Sequence, residues 1–205
     1  MGSTNPMETG GPNEGPGEGH DHSSEPHGLS HLDDRGTARM VDVGDKEVTR
    51  RSATAEGRVR CSAELLKRIR EHGLDKGDLP GTARLAGILG AKRVDELIPL
   101  CHTLPLDRVD VEIRVGDEAV HLRATASTRA RTGVEMEALT AVTVAALTVI
   151  DMGKAVDRGM VIEGVRVVEK TGGRSGTWHA DEPSGDTDAV DRPVAGQDPR
   201  SQGER

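Results

Sequence analysis

Residues 133–155 read GVEMEALTAVTVAALTVIDMGKA, an apolar rod with Glu135 and Glu137 at one end and Asp151 and Lys154 at the other. Thr132 is placed to cap a first turn, and the two early carboxylates oppose the positive end of a helix dipole. The pattern predicts a helix starting near Gly133 or Val134. The β-branched residues argue for strand, but the length of the run decides for helix. A helix apolar almost all round is expected to be buried. Thr140, Thr143 and Thr148 interrupt the run too often for a convincing membrane span, so it is read as the central core helix of a soluble domain. Glu137, Ala141, Val144, Thr148 and Asp151 fall nearly in line over about 21 Å at the usual helical rise. Carboxylates that far apart cannot serve one reacting atom from the same helix. If both act, they meet different ends of a large ligand, or each meets a site completed by another subunit.

Outward from this rod the composition divides the chain. Residues 1–28 and 179–205 are rich in Gly, Pro, Ser and acids and nearly free of large apolar side chains, so both are expected to be disordered tails flanking a domain at 29–178. The tails carry −5 and −4 against −8 for the whole chain, which leaves the domain near neutral. The acidic balance therefore says little about partners. Trp178 is the only aromatic residue besides histidine, which removes the stacking platforms that single-stranded nucleic acid uses; no nucleic-acid partner is expected. Cys61 and Cys101 are the only cysteines, and neither an apolar leader nor a transmembrane run is read, so a cytoplasmic location is expected. His20, His22, His27 and His31 sit in a Gly/Pro-rich setting that favours solvated residues over metal ligands.

In chain order, a turn at Asp34-Arg35-Gly36 precedes a short strand expected at Arg39 to Val43, and Val48 to Cys61 is a second extended stretch with one wet face. Arg50 and Arg51 lie on it, where solvated surface is the plainer assignment. Ser62 to His72 predicts an amphipathic helix. The loop Asp75-Lys76-Gly77-Asp78-Leu79-Pro80 leads to a further helix at about Gly81 to Leu97. Lys76 on physics alone is ordinary surface. Pro99-Leu100-Cys101-His102-Thr103-Leu104-Pro105 holds a thiol and an imidazole on extended backbone; as neighbours they point apart and cannot form a thiolate-imidazole couple. With no second Cys or His cluster in the domain, a structural zinc is not expected. Val109 to Val115 and Val120 to Ala124 alternate around Gly116-Asp117-Glu118 as a hairpin, and Met160 to Glu169 forms the last strand. Lys170 to Gly176, KTGGRSG, is a Gly-rich loop suited to oligophosphate but lacks the Walker A signature. The order β-β-α-α-β-β-α-β indicates an α+β domain with helices on one side of an antiparallel or mixed sheet, and a homo-oligomer is expected to cover what remains.

Taken together, MVDV at 40–43, KGD at 76–78, TARLAG at 82–87, LIPLCH at 97–102, TGVEMEALTA at 132–141 and DMGKA at 151–155 resemble the cyclic pyranopterin monophosphate synthase family of molybdenum cofactor biosynthesis, across Leu29 to Gly176. The resemblance implies a ferredoxin-like subunit, a homohexamer built as a trimer of dimers, and a site at a subunit interface. It implies a lyase reaction on the 3′,8-cyclised guanosine triphosphate, giving cyclic pyranopterin monophosphate and diphosphate. No resident cofactor is implied; a Mg2+ ion could accompany the triphosphate. By motif position Asp151, Lys154 and Lys76 are catalytic, Leu100, Cys101, His102, Met136 and Glu137 contact substrate, and Arg51, Glu135 and Lys170 match further functional positions. Arg174 joins Arg51, Lys76 and Lys170 as a cation suited to the triphosphate. Asp151 and Lys154 at i, i+3 are expected to share a hydrogen bond. The chain departs from the family at Thr103, usually Pro, expected to loosen the backbone beside His102; at Arg131, usually Lys; and at Gly153, usually Cys, expected to weaken the helix end. The competing class is a non-catalytic nucleotide or pterin sensor of the same fold, against which the presence of Asp151, Lys154 and Lys76 together argues.

Overall fold

The computed structural model describes residues 37–174 and 176–181. Residues 1–28 and most of 179–205, the turn at Asp34-Arg35-Gly36 and the four amino-terminal histidines lie outside the described residues. The chain divides into units at 1–41 and 42–205. In the first, the described residues carry an isolated bridge at Ala38. The second holds the domain.

The strand expected at Arg39 to Val43 is not formed. Asp42 turns its carboxylate onto the Gly44 N–H at 2.8 Å and Lys46 N–H closes on the Val43 carbonyl, a side-chain turn that competes with extended pairing. Among the described residues, regular structure begins with β1 (Thr49–Arg60) and continues through α1 (Ala63–Arg70), α2 (Leu79–Ala91), α3 (Val94–Leu97), β2 (Leu106–Val115), β3 (Ala119–Ala130), α4 (Glu135–Gly153), β4 (Val161–Thr171) and β5 (Trp178–His179). The helix expected at Gly81 to Leu97 is two helices. It starts earlier because Asp78 accepts from the Gly81 N–H and Pro80 sits where a missing N–H costs nothing, and it breaks at Lys92-Arg93.

All strand pairs are antiparallel, in the order β2-β3-β1-β4-β5. Two crossovers, β1 to β2 through α1–α3 and β3 to β4 through α4, each enclose one strand of the other. This split βαβ arrangement makes the subunit α+β and ferredoxin-like, with β5 added at the edge. Hydrogen bonding continues past Trp178, since Ala180 N–H donates to the Val168 carbonyl.

The helices lie on one face of the sheet, α4 over β1 and β3 and α2 against α4 and β2. Ala53, Ala55, Ala124 and Ala126 from the strands meet Ala138, Val142, Ala145 and Val149 from α4 in a core without aromatic rings. By length and mean hydropathy α4 would pass for a membrane span, yet half of it is buried inside this core. Contrary to the expectation from its composition, α4 is not buried all round: Leu147 is 54% exposed, and Leu85 and Leu89 of α2 are 64% and 54% exposed. The other sheet face is wet. There Glu56 accepts from Arg166 and Arg123, Glu163 accepts from Arg58 and Arg60, and Thr54 meets Thr125. Such half-exposed pairs each contribute about 0–1 kcal/mol.

Gly87 decides how closely α2 approaches α4, because a Cβ there would sit 2.8 Å from the Ala141 carbonyl oxygen. Backbone cannot retreat as a side chain can. Gly87→Val is expected to lower stability by about 1–3 kcal/mol, read as a lower urea midpoint at unchanged slope. An unchanged midpoint would show that the two helices part without cost.

Candidate active site

The candidate residues collect at the two ends of α4. At its carboxyl end Asp151 is clamped by two ammonium groups. Lys154 Nζ donates to Oδ1 at 2.7 Å, while Lys76 Nζ donates to Oδ2 and to the Asp151 carbonyl, each at 2.8 Å. The helix supplies Asp151 and the i, i+3 partner. Lys76 is delivered by the loop after α1, which is held by buried Leu74, by Gly77 at positive φ and by the Asp78 cap. Lys76 stands at the surface, its side chain 46% exposed, and is bonded twice to Asp151. The hydrogen bonds from Lys154 and then Lys76, followed by their charges, hold the Asp151 carboxyl down at about 2. The cluster carries one anion and two cations at neutral pH, and its polar atoms remain open to solvent. Gly153 lies against Leu65 and Met160, where a Cβ would come within 2.8 Å of the Leu65 side chain. The absent side chain at this position therefore serves packing under the helix end.

At the amino end the helix lacks the cap expected from Thr132. Val134 occupies the cap position without a side-chain hydrogen bond, and the carboxylate of Glu135 folds back over Gly133 instead. Glu135 faces Lys170 of β4 at 3.4 Å. Arg51 is not simply solvated: its guanidinium donates to the carbonyls of Ala130 at 3.1 Å and Arg131 at 3.3 Å. Gly172 and Gly173, both at positive φ, lay the loop backbone directly over Arg50 and Arg51, where a Cβ on either would clash. Arg174 follows on that loop, exposed. Lys76, grouped with Arg51, Lys170 and Arg174 as a phosphate partner in the sequence, stands at the opposite end of α4 from those three.

Glu137 is of a different kind from Asp151. It is 4% exposed, and burial first, with the charges of Glu135 and Asp95 adding to it, pushes its carboxyl up to about 7; its own backbone N–H opposes this. Two carboxyl groups on one helix are thus driven apart, one ionised at any physiological pH and one poised to exchange a proton. Cys101 stands close enough that Glu137 and Asp95, after burial, raise its thiol. Leu100, Cys101 and His102 are half-buried in the irregular connection to β2, and Met136 is 37% exposed. Burial raises the Cys61 thiol to about 11, and it donates to the Val59 carbonyl.

The sequence reading missed Asp95. It sits in the first turn of α3 and accepts from the Thr103 hydroxyl at 2.5 Å, so Thr103 ties down the backbone it was expected to loosen. The only sequence signal was an acid at the start of a short helix ahead of the Cys101-His102 segment. Among the described residues no cluster of His, Cys, Asp and Glu could hold a metal ion.

Glu137 makes a stability prediction. The fold prefers its protonated form, so its contribution is full below the ordinary value of 4.5, falls as pH rises and is gone above about 7. The total change is about 3 kcal/mol at 1.36 kcal/mol per pH unit. Glu137→Gln is expected to remove this slope, so that the variant gains on the wild type between pH 4.5 and 7. Urea midpoints across that range check it; parallel curves for the two proteins would refute a buried neutral acid.

Curated relatives carry a consistent name. The chain is 59% identical over 150 residues to a cyclic pyranopterin monophosphate synthase of Streptomyces avermitilis, covering 73% of this chain and 88% of the relative. It is 56% identical over 156 residues to one of Thermomicrobium roseum, covering 75% and 94%. It is 55% identical over 150 residues to cyclic pyranopterin monophosphate synthase 2 of Mycobacterium bovis, covering 73% and 90%. The MoaC family matches residues 40–173, from the Asp42 turn through both ends of α4 to the glycine pair of the loop. With most of its length matched and its relatives this similar, the chain belongs to the MoaC family.

Proposed function

We infer that this chain is a lyase that converts (8S)-3′,8-cyclo-7,8-dihydroguanosine 5′-triphosphate to cyclic pyranopterin monophosphate and diphosphate, a step of molybdenum cofactor biosynthesis. The observation that carries the reading is the Lys76–Asp151–Lys154 clamp. The reaction opens an aminal, closes a pterin ring and forms a cyclic phosphate, so protons move several times while negative charge leaves as diphosphate. An ionised carboxylate between two ammonium groups offers acids and a proton acceptor at one place, with positive charge in excess for the anion. Glu137, Cys101 and His102, at the other end of α4, are suited to hold the guanine-derived ring. Arg51, Lys170 and Arg174 beside them are suited to the phosphates.

Since the two clusters stand about 21 Å apart along one helix, we place the complete site between subunits of a homohexamer, a trimer of dimers. The apolar side chains of Leu85, Leu89 and Leu147 exposed on the helix layer support association. No nucleic acid, membrane or resident metal enters this reading, a cytoplasmic location suits it, and residues 29–178 are taken as the catalytic domain. The test is incubation with the cyclised nucleotide and assay of released diphosphate. Tight binding without release would favour a ligand sensor instead.

A further inference from the structure

The connection from α3 to β2 presents Cys101 and His102, yet residues 101–105 have no helix or strand of their own. Backbone outside regular structure takes its position from side-chain ties. Cys101 N–H closes on the Ile98 carbonyl at 3.0 Å, fixing the start of the segment, and Thr128 Oγ1 donates to the Pro105 carbonyl at 2.6 Å, fixing its end. Between them the Thr103 hydroxyl donates to the Asp95 carboxylate at 2.5 Å. A hydroxyl donating to an ionised carboxylate is among the stronger neutral-to-charged hydrogen bonds. Asp95 in turn is carried by α3, whose Val94 is fully packed.

We propose that Thr103 and Asp95 are a positioning couple that holds the Cys101-His102 segment against the amino end of α4 and sets the electrostatic field felt there by Cys101 and Glu137. Neither residue needs to touch the ligand. The segment is pinned through the Thr103 hydroxyl, and the carboxylate that receives the bond is the same one whose charge bears on both neighbouring acids. The charged and titratable groups around Glu137 are Asp95 from α3, Cys101 from the connection, and Glu135 from its own helix with Lys170 of β4 paired to it. Asp95 is joined to the segment that carries Cys101 and His102 through the Thr103 hydroxyl. The proposal deepens the active-site reading and in its kinetic part rests on it.

The test has two readouts. The first is independent of turnover: alkylation of Cys101 in a Cys61→Ser background, followed against pH. Burial first, then the charges of Glu137 and Asp95, raise the Cys101 thiol, so Asp95→Asn removes one of these contributions and is expected to speed alkylation at fixed pH, by moving the thiolate titration toward lower pH. Thr103→Val removes the tie to Asp95 and is expected to speed alkylation as well, while Thr103→Ser, which keeps the hydroxyl, returns the rate to that of the parent. The second readout is diphosphate release. Thr103→Val is expected to raise KM about tenfold with a smaller effect on kcat, because a binding segment is misplaced rather than a reacting group removed. Asp95→Asn is expected to move the pH profile of kcat/KM toward lower pH, because removing an anion eases ionisation of Glu137. If Cys101 reacts at the parent rate in both Asp95→Asn and Thr103→Val, the couple does not exist as described. Should the parent protein release no diphosphate, the functional reading fails while the alkylation result still decides the couple.

Discussion

Asp151→Asn protein is expected to lose about a hundredfold or more in the rate of diphosphate release while its assembly and melting temperature stay near those of the wild type. The same is expected of Lys154→Met. Both residues belong to an exposed ion-pair cluster at the end of a helix, and such a cluster could exist only to cap that helix. Capping makes the opposite prediction. Exposed pairs contribute little to stability, so a cap could be removed with turnover nearly unchanged in the folded fraction. The carboxylate is held at about 2 by two lysines, and removing its charge leaves two ammonium groups without their shared acceptor. The amide introduced by Asp151→Asn could still accept one hydrogen bond but could take up no proton during the reaction. Measuring release and thermal unfolding on the same preparations separates the two accounts, and a well-folded Lys154→Met protein with near-normal turnover would sink the catalytic one.

The rod at 133–155 carried most of the fold into view, because its length and its charged ends made a helix unavoidable and forced the question of what two distant carboxylates do. The alternation at 109–124 gave the hairpin for similar reasons. What stayed hidden depended on single side-chain bonds. Nothing local reveals that Asp42 turns onto Gly44 and abolishes a strand, that α4 has Val134 at its cap position with no side-chain cap from Thr132, or that Lys92-Arg93 divides one helix into two. The candidate residues were recognisable by motif, but their grouping was not. Lys76 and Asp151 lie 75 positions apart and meet through a loop whose course depends on the packing of Leu74. Apolar content also misled in one direction: Leu85, Leu89 and Leu147 look like core in the sequence and stand exposed on the subunit, since periodicity cannot distinguish a core face from an association face.

Pairs of inactive variants are expected to restore each other only when their lesions lie at opposite ends of α4. Lys76 and Asp151 meet within one chain, so Lys76→Ala and Asp151→Asn disable the same half-site. Mixing them is expected to yield no activity whatever the assembly. Lys154→Met and Lys170→Ala disable different ends, about 21 Å apart along the helix. If each site joins the amino end of one α4 to the carboxyl end of another, a mixed dimer holds one doubly defective site and one intact site. Random reassortment makes about half of the dimers mixed, so about a quarter of wild-type activity is expected to return after unfolding and reassembly. The protein must therefore be disassembled before mixing, and activity must rise only after that step. Persistent inactivity of this pair in an intact, reshuffled oligomer would confine the site to a single chain, and an active monomer would do so directly. The ligand would then have to reach Asp151 without help from the amino end of any α4, leaving the cations around Arg51 and Lys170 without the role assigned to them.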